Sequence, residues 1–94
     1  MRITGFIWLE EVLEKLAKKH QVHEHEVVEV FESRPKFHFV EKGYREGEDV
    51  YAALGRSDAG RYLVVFFVHK QDARALPVSA RDMTKAERKL YERK

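Results

Sequence analysis

The stretch RYLVVFFVHKQDARALPVSARDMTKAERKLY, residues 61–91, decides the fold of this chain because three local signals in it agree. Residues 61–69 form an almost continuous apolar run, which is typical of a buried strand, and residues 73–81 are the expected hairpin partner. Thr84 and Glu87 then have the spacing of a helix start, in which each side chain satisfies a free backbone donor. We therefore predict two paired strands followed by a C-terminal helix.

Two helices are predicted upstream of this stretch. Apolar residues recur at helical spacing after residue 8 and form one stripe: Leu9, Val12, Leu13, Leu16 and Ala17. Acidic residues lie early in this segment and lysines late, an order that complements the helix dipole. A second, shorter helix is predicted over Glu24–Glu32, and Pro35 prevents it from continuing.

Further strands are predicted from apolar or alternating segments: residues 2–8, 36–41 and 49–56. The segment 57–60 has the composition of a hairpin turn, in which Gly60 can adopt positive φ. Residues 42–48 contain two glycines among charges and predict a loop whose length suggests mobility. Pro77 cannot donate a backbone hydrogen bond, so the last strand is expected to be an edge strand or irregular there.

These elements together predict an α+β fold. We expect an antiparallel sheet of about four strands, packed by the two N-terminal helices and followed by a C-terminal helix. Residues 1–94 have the size of a single domain, and no internal repeat is visible.

Composition excludes several classes of chemistry. The chain has no cysteine, so it contains no disulfide, no thiolate zinc site and no cysteine nucleophile. Its longest apolar run, Tyr62–Val68, is far shorter than the ~20 residues that span a bilayer, and residues 1–9 lack the features of a signal peptide. We expect a soluble, cytoplasmic protein without membrane contact.

The charge is concentrated near the C-terminus. The net charge is only +2, but residues 81–94 hold six Lys or Arg against three acidic residues. A basic helix suits a phosphate-bearing partner, and a solvated helix face is the other explanation. Neither a glycine-rich phosphate loop nor a Ser-His-Asp pattern is present, and we expect no cofactor.

Histidines form the first group of candidate functional residues. His23 and His25 are two residues apart and cannot share a helix face, so we predict no metal site. His20 follows Lys18 and Lys19 at the end of the first helix. There it could act on a phosphodiester as acid or base, or it could serve only as a cation at the helix C-terminus.

Arginines at strand ends form the second group. Arg56 and Arg61 flank a hairpin and Arg81 ends the last strand; their guanidinium groups match phosphate oxygens two at a time. The alternative is that they make surface ion pairs with Asp58, Asp82 or Glu87. Aromatic residues at strand spacing, such as Phe66 and Phe67, are interpreted as core.

The chain resembles the BrnT-type toxin family in motifs that occur in order over nearly its whole length. The matching residues are Phe6-Ile-Trp8, Lys19-His20-x-Val22, Val30-Phe31, Gly55-x-Ser57, Gly60-Arg61-x-Leu63-Val-Val and Ser79-Ala-Arg81-Asp-Met-Thr84-x-x-Glu87-Arg88-x-x-Tyr91. The resemblance implies a RelE-like fold and an endoribonuclease toxin of a type II toxin–antitoxin pair, which cleaves RNA without a metal and inhibits translation and growth. It also implies a cognate antitoxin, expected to be BrnA-like and DNA-binding, and a higher-order toxin–antitoxin complex.

The motif match implies which residues carry the activity. It assigns the catalytic set Lys19, His20, Arg61 and Arg81, and the positions of the basic residues add an RNA-binding set: Arg56, Lys85 and Arg88. The chain departs from the family pattern at Leu9, Leu16 and Gln21, and Val50 stands where the family commonly has an arginine. These departures leave open a second hypothesis, a non-catalytic module of the same fold that binds RNA or antitoxin.

Overall fold

A twisted five-stranded sheet organises the chain, and the computed structural model describes residues 1–93 of it. The elements are β1 Gly5–Phe6, α1 Glu10–His20, α2 Glu24–Glu32, β2 Lys36–Glu41, β3 Val50–Arg56, β4 Tyr62–His69, β5 Arg74–Asp82 and α3 Lys85–Glu92. The α+β class, the three helices and their order are as predicted. Among the described residues, no helix is long and apolar enough to cross a membrane.

The predicted number of about four antiparallel strands is wrong, because the sheet has five strands and one of its pairings is parallel. Strand order is β1-β5-β4-β3-β2, and Gly5 and Phe6 of β1 run parallel to Arg74 and Ala75 of β5. Backbone bonds from Thr4 to Ala73 and from Ile7 to Ala75, each 2.9 Å long, extend this pairing. The first strand was predicted over residues 2–8 and is shorter, Gly5–Phe6; its parallel pairing with β5 could not be read from the sequence, because it depends on a distant segment.

The two N-terminal helices cover one face of the sheet. Their apolar residues join those of the strands in one core: Leu16, Val22, Val27, Val30, Ala53, Leu63, Val65, Phe67, Ala75 and Ala80. Gly55 permits the close approach of α2 to β3, because a Cβ there would lie only 2.6 Å from Ser33 Oγ and 2.9 Å from the Val30 carbonyl oxygen.

The C-terminal helix lies on the opposite face, which we call the α3 face. Ala52, Leu54 and Val64 point there and are packed by Phe66, Met83 and Tyr91. Helix α3 itself has no buried residue and leaves the rest of this face uncovered by helix. The molecule therefore has three layers, with α1 and α2 on one side of the sheet and α3 on the other.

The irregularities predicted from glycine and proline are present. Gly60 adopts a φ of 95° at the turn between β3 and β4. The pairing of β4 with β5 shifts register between Phe66 and Phe67, opposite the fully buried Pro77. Proline thus occupies a break in the ladder, where its missing N–H costs no hydrogen bond.

Candidate functional site

The C-terminus of α1 carries the first two predicted site residues. Lys19 is exposed and His20 is half-buried at the last position of the helix. The guanidinium of Arg61 donates to the carbonyl oxygens here, from Nη1 to Gln21 at 2.6 Å and from Nη2 to His20 at 3.3 Å. A cation at the C-terminus of a helix donates hydrogen bonds to the carbonyl groups that have no partner within the helix. The structure therefore places the Arg61 guanidinium against the backbone carbonyl of His20.

Arg61 is also held by two carboxylates. Its Nη1 lies 3.1 Å from Glu26 Oε2, and its Nη2 lies 3.1 Å from Asp82 Oδ1. Desolvation lowers the pKa of Arg61, but the hydrogen bonds to Asp82 and Glu26 outweigh it and raise the pKa above its ordinary value. The Glu26 side chain is only 10% exposed, so Arg61 neutralises a charge that is nearly buried.

Arg81 projects onto the α3 face and binds a different carboxylate. Its two terminal nitrogens form a bidentate pair with Glu87, at 2.7 and 2.9 Å, and its guanidinium lies 5.4 Å from the centre of the Phe66 ring. The bond from Arg81 is the main reason that the pKa of Glu87 falls to about 2, with a further contribution from the Thr84 backbone. The same bond raises the pKa of Arg81.

Asp82 joins the two arginines. Its carboxylate accepts from Arg61, while its backbone carbonyl accepts from Arg81 Nη1 at 3.1 Å. A continuous series of contacts therefore runs around the end of β5, and we call it the β5 network: Glu26, Arg61, Asp82, Arg81 and Glu87. It brings the end of α1 and the start of α3 into one region, but it contains three carboxylates for two arginines.

A second cluster of cations surrounds Tyr62. The guanidinium carbons of Arg88 and Arg56 lie 3.8 and 4.5 Å from the centre of the Tyr62 ring. Tyr91 meets this ring edge-on, with the centroids 6.0 Å apart. Stacking on an aromatic face fixes a guanidinium and leaves its N–H groups available at the edges. This arrangement unites two of the three predicted RNA-binding residues on the α3 face.

Lys85, the third predicted RNA-binding residue, is exposed at the first position of α3. Within residues 1–93 it takes part in no ion pair, in contrast to Arg88, which lies 3.7 Å from Glu92.

Two residues of this region were missed by sequence reasoning. Glu26 neutralises Arg61 together with Asp82, which the sequence had offered as an ion-pair partner, and Tyr62 organises the second cluster. Tyr62 could have been found from the hairpin, because Arg56 and Tyr62 are directly opposite each other in the β3–β4 pairing. Glu26 had no such signal, since its contact with Arg61 is between distant parts of the chain.

The remaining histidines do not form a metal cluster. His23 and His25 lie with their rings parallel and 6.0 Å apart. In the part of the chain that the structure describes, no group of three His, Asp or Glu side chains could hold a metal ion. Val50, the position where an arginine was expected from the resemblance, lies in β3 and lines a cavity on the α3 face, away from the β5 network.

The chain is similar to known proteins both in sequence family and in fold. The family model described as "Ribonuclease toxin, BrnT, of type II toxin-antitoxin system" matches residues 8–87. Among solved structures, the chain is similar to the 1.1 Å crystal structure of the Brucella abortus ribonuclease toxin BrnT, with a TM-score of 0.63 and 18% sequence identity. The match covers 86% of this chain and 97% of that one, and at this identity it shows a shared fold. No curated protein matches the chain in sequence.

Proposed function

Since the chain belongs to the BrnT family of ribonuclease toxins of type II toxin–antitoxin systems, we propose that it cleaves RNA internally without a metal ion. The β5 network is the observation that supports this proposal. Through Arg61 and Asp82 it links the α1 end, which carries Lys19 and His20, to Arg81 at the end of β5.

The proposed reaction needs three functions and no cofactor. A base removes the proton of the RNA 2′-hydroxyl, the 2′-oxygen attacks the adjacent phosphorus in line, and an acid protonates the 5′-oxygen as its bond to phosphorus breaks. The products are a 2′,3′-cyclic phosphate and a 5′-hydroxyl. Cations stabilise the additional negative charge of the phosphorane.

Residues of this chain supply two of these functions. His20 acts as either the acid or the base, with water exchanging the other proton, and Lys19 and Arg81 stabilise the phosphate charge. Arg61 is a positioning residue, because both of its terminal nitrogens already bind carbonyl or carboxylate oxygens, among them the backbone carbonyl of His20. Arg56, Lys85 and Arg88 bind flanking phosphates along the α3 face.

A second candidate function is RNA or antitoxin binding without cleavage. It is favoured by the neutralisation of both network arginines, Arg61 by Glu26 and Asp82 and Arg81 by Glu87. In the catalytic hypothesis the RNA phosphate displaces Glu87 from Arg81. In the binding hypothesis the pair stays intact.

The partner of a toxin of this class is an antitoxin. We expect it to be a BrnA-like, DNA-binding protein that covers the basic surface and assembles with the toxin into a higher-order complex in the cytoplasm. Release of the toxin then inhibits translation and growth.

RNA cleavage by the purified chain in the presence of EDTA tests the proposal. We expect cleavage to persist in EDTA, and His20→Ala to slow it by roughly 10²–10⁴-fold because an acid or base is lost. Arg81→Ala should also slow it, with circular dichroism showing that each variant is folded. His25→Ala is the matched control, since it removes an exposed histidine on α2, and it should cleave as the wild type does.

Two results would contradict parts of this scheme. Cleavage that stops in EDTA would show that a metal is required. RNA that is bound but left intact, together with harmless expression of the free chain, would identify the protein as a binding module.

A further inference from the structure

The loop between β2 and β3, residues 42–48, is bonded at its C-terminal end to the turn that follows β4. Glu48 is 7% exposed, and its carboxylate accepts from Lys70 Nζ at 2.9 Å and from the Gln71 backbone N–H at 3.2 Å. The Gln71 side chain donates to the Glu46 carbonyl at 3.1 Å. The hydrogen bond from Lys70 is the largest cause of the lowered pKa of Glu48. These bonds fix Glu46 and Glu48 beside Lys70 and Gln71.

This loop and the α3 face enclose a cavity of about 520 Å³. Its floor is apolar and consists of Val50, Val68, Leu76 and Val78, from three adjacent strands. Val78 is 40% exposed, so the cavity is open to solvent. A volume of this size is in the range of small-ligand sites.

The polar part of the cavity lining carries an aromatic residue and an excess of positive charge. Tyr44 is fully exposed, so no packing contact within the described residues holds its ring in place. Lys42, Arg45 and Glu41 also line the cavity and form no ion pair within residues 1–93, whereas Lys70 is neutralised by Glu48. We call this arrangement of Tyr44, Lys42 and Arg45 over the apolar floor the Tyr44 pocket.

We infer that the Tyr44 pocket binds one nucleotide of a single-stranded RNA. The flat face of the base stacks on Tyr44 and covers the valine floor, while Lys42 and Arg45 bind the adjoining phosphates. The inference rests on the proposed function, since it assumes that RNA is the substrate.

Charge and continuity favour RNA over an apolar peptide as the occupant. The lining holds three cations, Lys42, Arg45 and Lys70, against two carboxylates, Glu41 and Glu48, so its net charge is +1. An apolar peptide would cover the floor but leave this excess positive charge unpaired, whereas each phosphate of RNA carries one negative charge. Val68 of the floor is four residues along β4 from Val64, which pairs with Arg81, so the pocket and Arg81 are about 13 Å apart on the same face. A short single strand can span that distance and place its scissile phosphate at the β5 network.

Binding of a 2′-O-methyl oligouridylate and a 2′-O-methyl oligoadenylate, followed by fluorescence anisotropy, tests this inference. The methyl group blocks attack by the 2′-oxygen, so affinity is measured without cleavage. Tyr44→Ala should weaken binding about tenfold, and Tyr44→Phe should preserve it because stacking needs only the ring. Thermal unfolding should be unchanged in both variants, since the side chain is fully exposed.

The contribution of Lys42 and Arg45 to RNA binding is measured from the salt dependence of the affinity. Lys42→Ala/Arg45→Ala should reduce the slope of log affinity against log salt by about 1.4, because two single-strand phosphate contacts are lost. Arg2→Ala/Lys15→Ala removes the same two residue types elsewhere on the molecule and should leave the slope unchanged.

The outcomes separate this inference from the proposed function. If the Tyr44 and Lys42/Arg45 variants bind RNA as the wild type does while His20→Ala still abolishes cleavage, the pocket assignment is wrong and the nuclease assignment stands. If these variants lose antitoxin and retain RNA, the pocket belongs to the antitoxin and the inference is overturned. If the wild type binds no RNA, both fail.

Discussion

The pair of Arg81 and Glu87 shows how one residue contact serves both structure and the candidate site. Glu87 accepts two hydrogen bonds from Arg81 and one, at 2.8 Å, from the Thr84 backbone N–H at the start of α3. Because these donors all favour the ionised carboxylate, the pKa of Glu87 is about 2 in the folded protein instead of 4.5. Arg81 can offer these two N–H groups to an RNA phosphate only by leaving this pair.

The Arg81–Glu87 pair is predicted to stabilise the protein in a pH-dependent way. A depressed pKa means that the unfolded chain takes up the proton more readily, so the stabilisation is complete above pH about 4.5 and is lost as pH falls toward about 2. Allowing for screening at a side chain that is 26% exposed, we expect Glu87→Gln to lower the free energy of unfolding by about 1–2 kcal/mol at neutral pH.

Urea unfolding of wild type and Glu87→Gln across this pH range measures the effect. The difference between the two proteins should shrink as the solution is acidified from pH about 4.5 to about 2. Glu92→Gln, which removes an exposed carboxylate 3.7 Å from Arg88, is the control and should cost less than about 0.5 kcal/mol. A difference that stays constant with pH would exclude the assigned role of Glu87.

At the scale of single elements, α3 depends on its ends more than on its packing. None of its residues is buried, and its N-terminus is closed by reciprocal bonds between Thr84 and Glu87. Its C-terminal carbonyls at Leu90 and Arg93 accept from Lys36 Nζ on β2. The helix that positions Arg88 and Lys85 is therefore held by polar contacts at both ends.

Removal of the N-terminal cap is predicted to loosen α3 selectively. Thr84→Ala deletes the hydroxyl that accepts the Glu87 N–H at 3.1 Å, a loss that typically costs about 1 kcal/mol. Amide hydrogen exchange should become about fivefold faster in residues 85–92 and remain unchanged in α1. Thr84→Ser keeps the hydroxyl and should behave as the wild type does; equal acceleration in α1 would show that the substitution acts globally.

At the scale of the whole molecule, Arg61 connects parts of the chain that are distant in sequence. It binds the end of α1, the buried Glu26 of α2 and Asp82 of β5. Loss of this guanidinium leaves the nearly buried carboxylate of Glu26 without its partner. Removing one partner of a buried ion pair lowers the free energy of unfolding far more than removing both.

Arg61→Met is accordingly predicted to destabilise the fold by about 3 kcal/mol, as measured by urea unfolding. Arg61→Met/Glu26→Gln should recover most of this loss, because no buried charge remains and the amide oxygen can still accept from the His23 backbone N–H, as Glu26 does at 3.1 Å. Arg74→Met disrupts an exposed pair with Asp72 and should cost less than about 1 kcal/mol. If the double variant does not recover stability, the Glu26 contact is not the reason for the loss.

The double variant also tests the role of Arg61 in RNA cleavage. Since Arg61 is proposed to position His20, we expect Arg61→Met/Glu26→Gln to remain folded and to cleave RNA more slowly than the wild type. Cleavage at the wild-type rate would show that Arg61 serves stability alone.

Local signals predicted most elements well. Helix α2 and strand β2 have the predicted bounds, and Thr84 caps α3 as its spacing with Glu87 indicated. These features depend on periodicity and on bonds between residues close in sequence. The parallel pairing of β1 with β5 and the position of α3 were not predicted, because both depend on contacts between distant segments.

The candidate site was also predicted only in part. Sequence motifs pointed to His20, Arg61 and Arg81 as site residues, an assignment that stays a prediction. For the two arginines, the structure shows the ion pairs with Asp82 and Glu87 that the sequence analysis gave as the alternative. The third acid, Glu26, could not be inferred, since its proximity to Arg61 exists only after α2 has packed on the sheet.

By itself, the sequence determined the order of the helices and strands and most of their bounds, β1 excepted, since hydrogen bonds within a turn and the alternation of apolar residues act over a few positions. Only the tertiary structure decided which face each helix covers, which acids neutralise which arginines, and that Lys42, Tyr44 and Arg45 stand over an apolar cavity. Those features require distant segments to meet, and their charges interact strongly only within a few ångströms and away from bulk water.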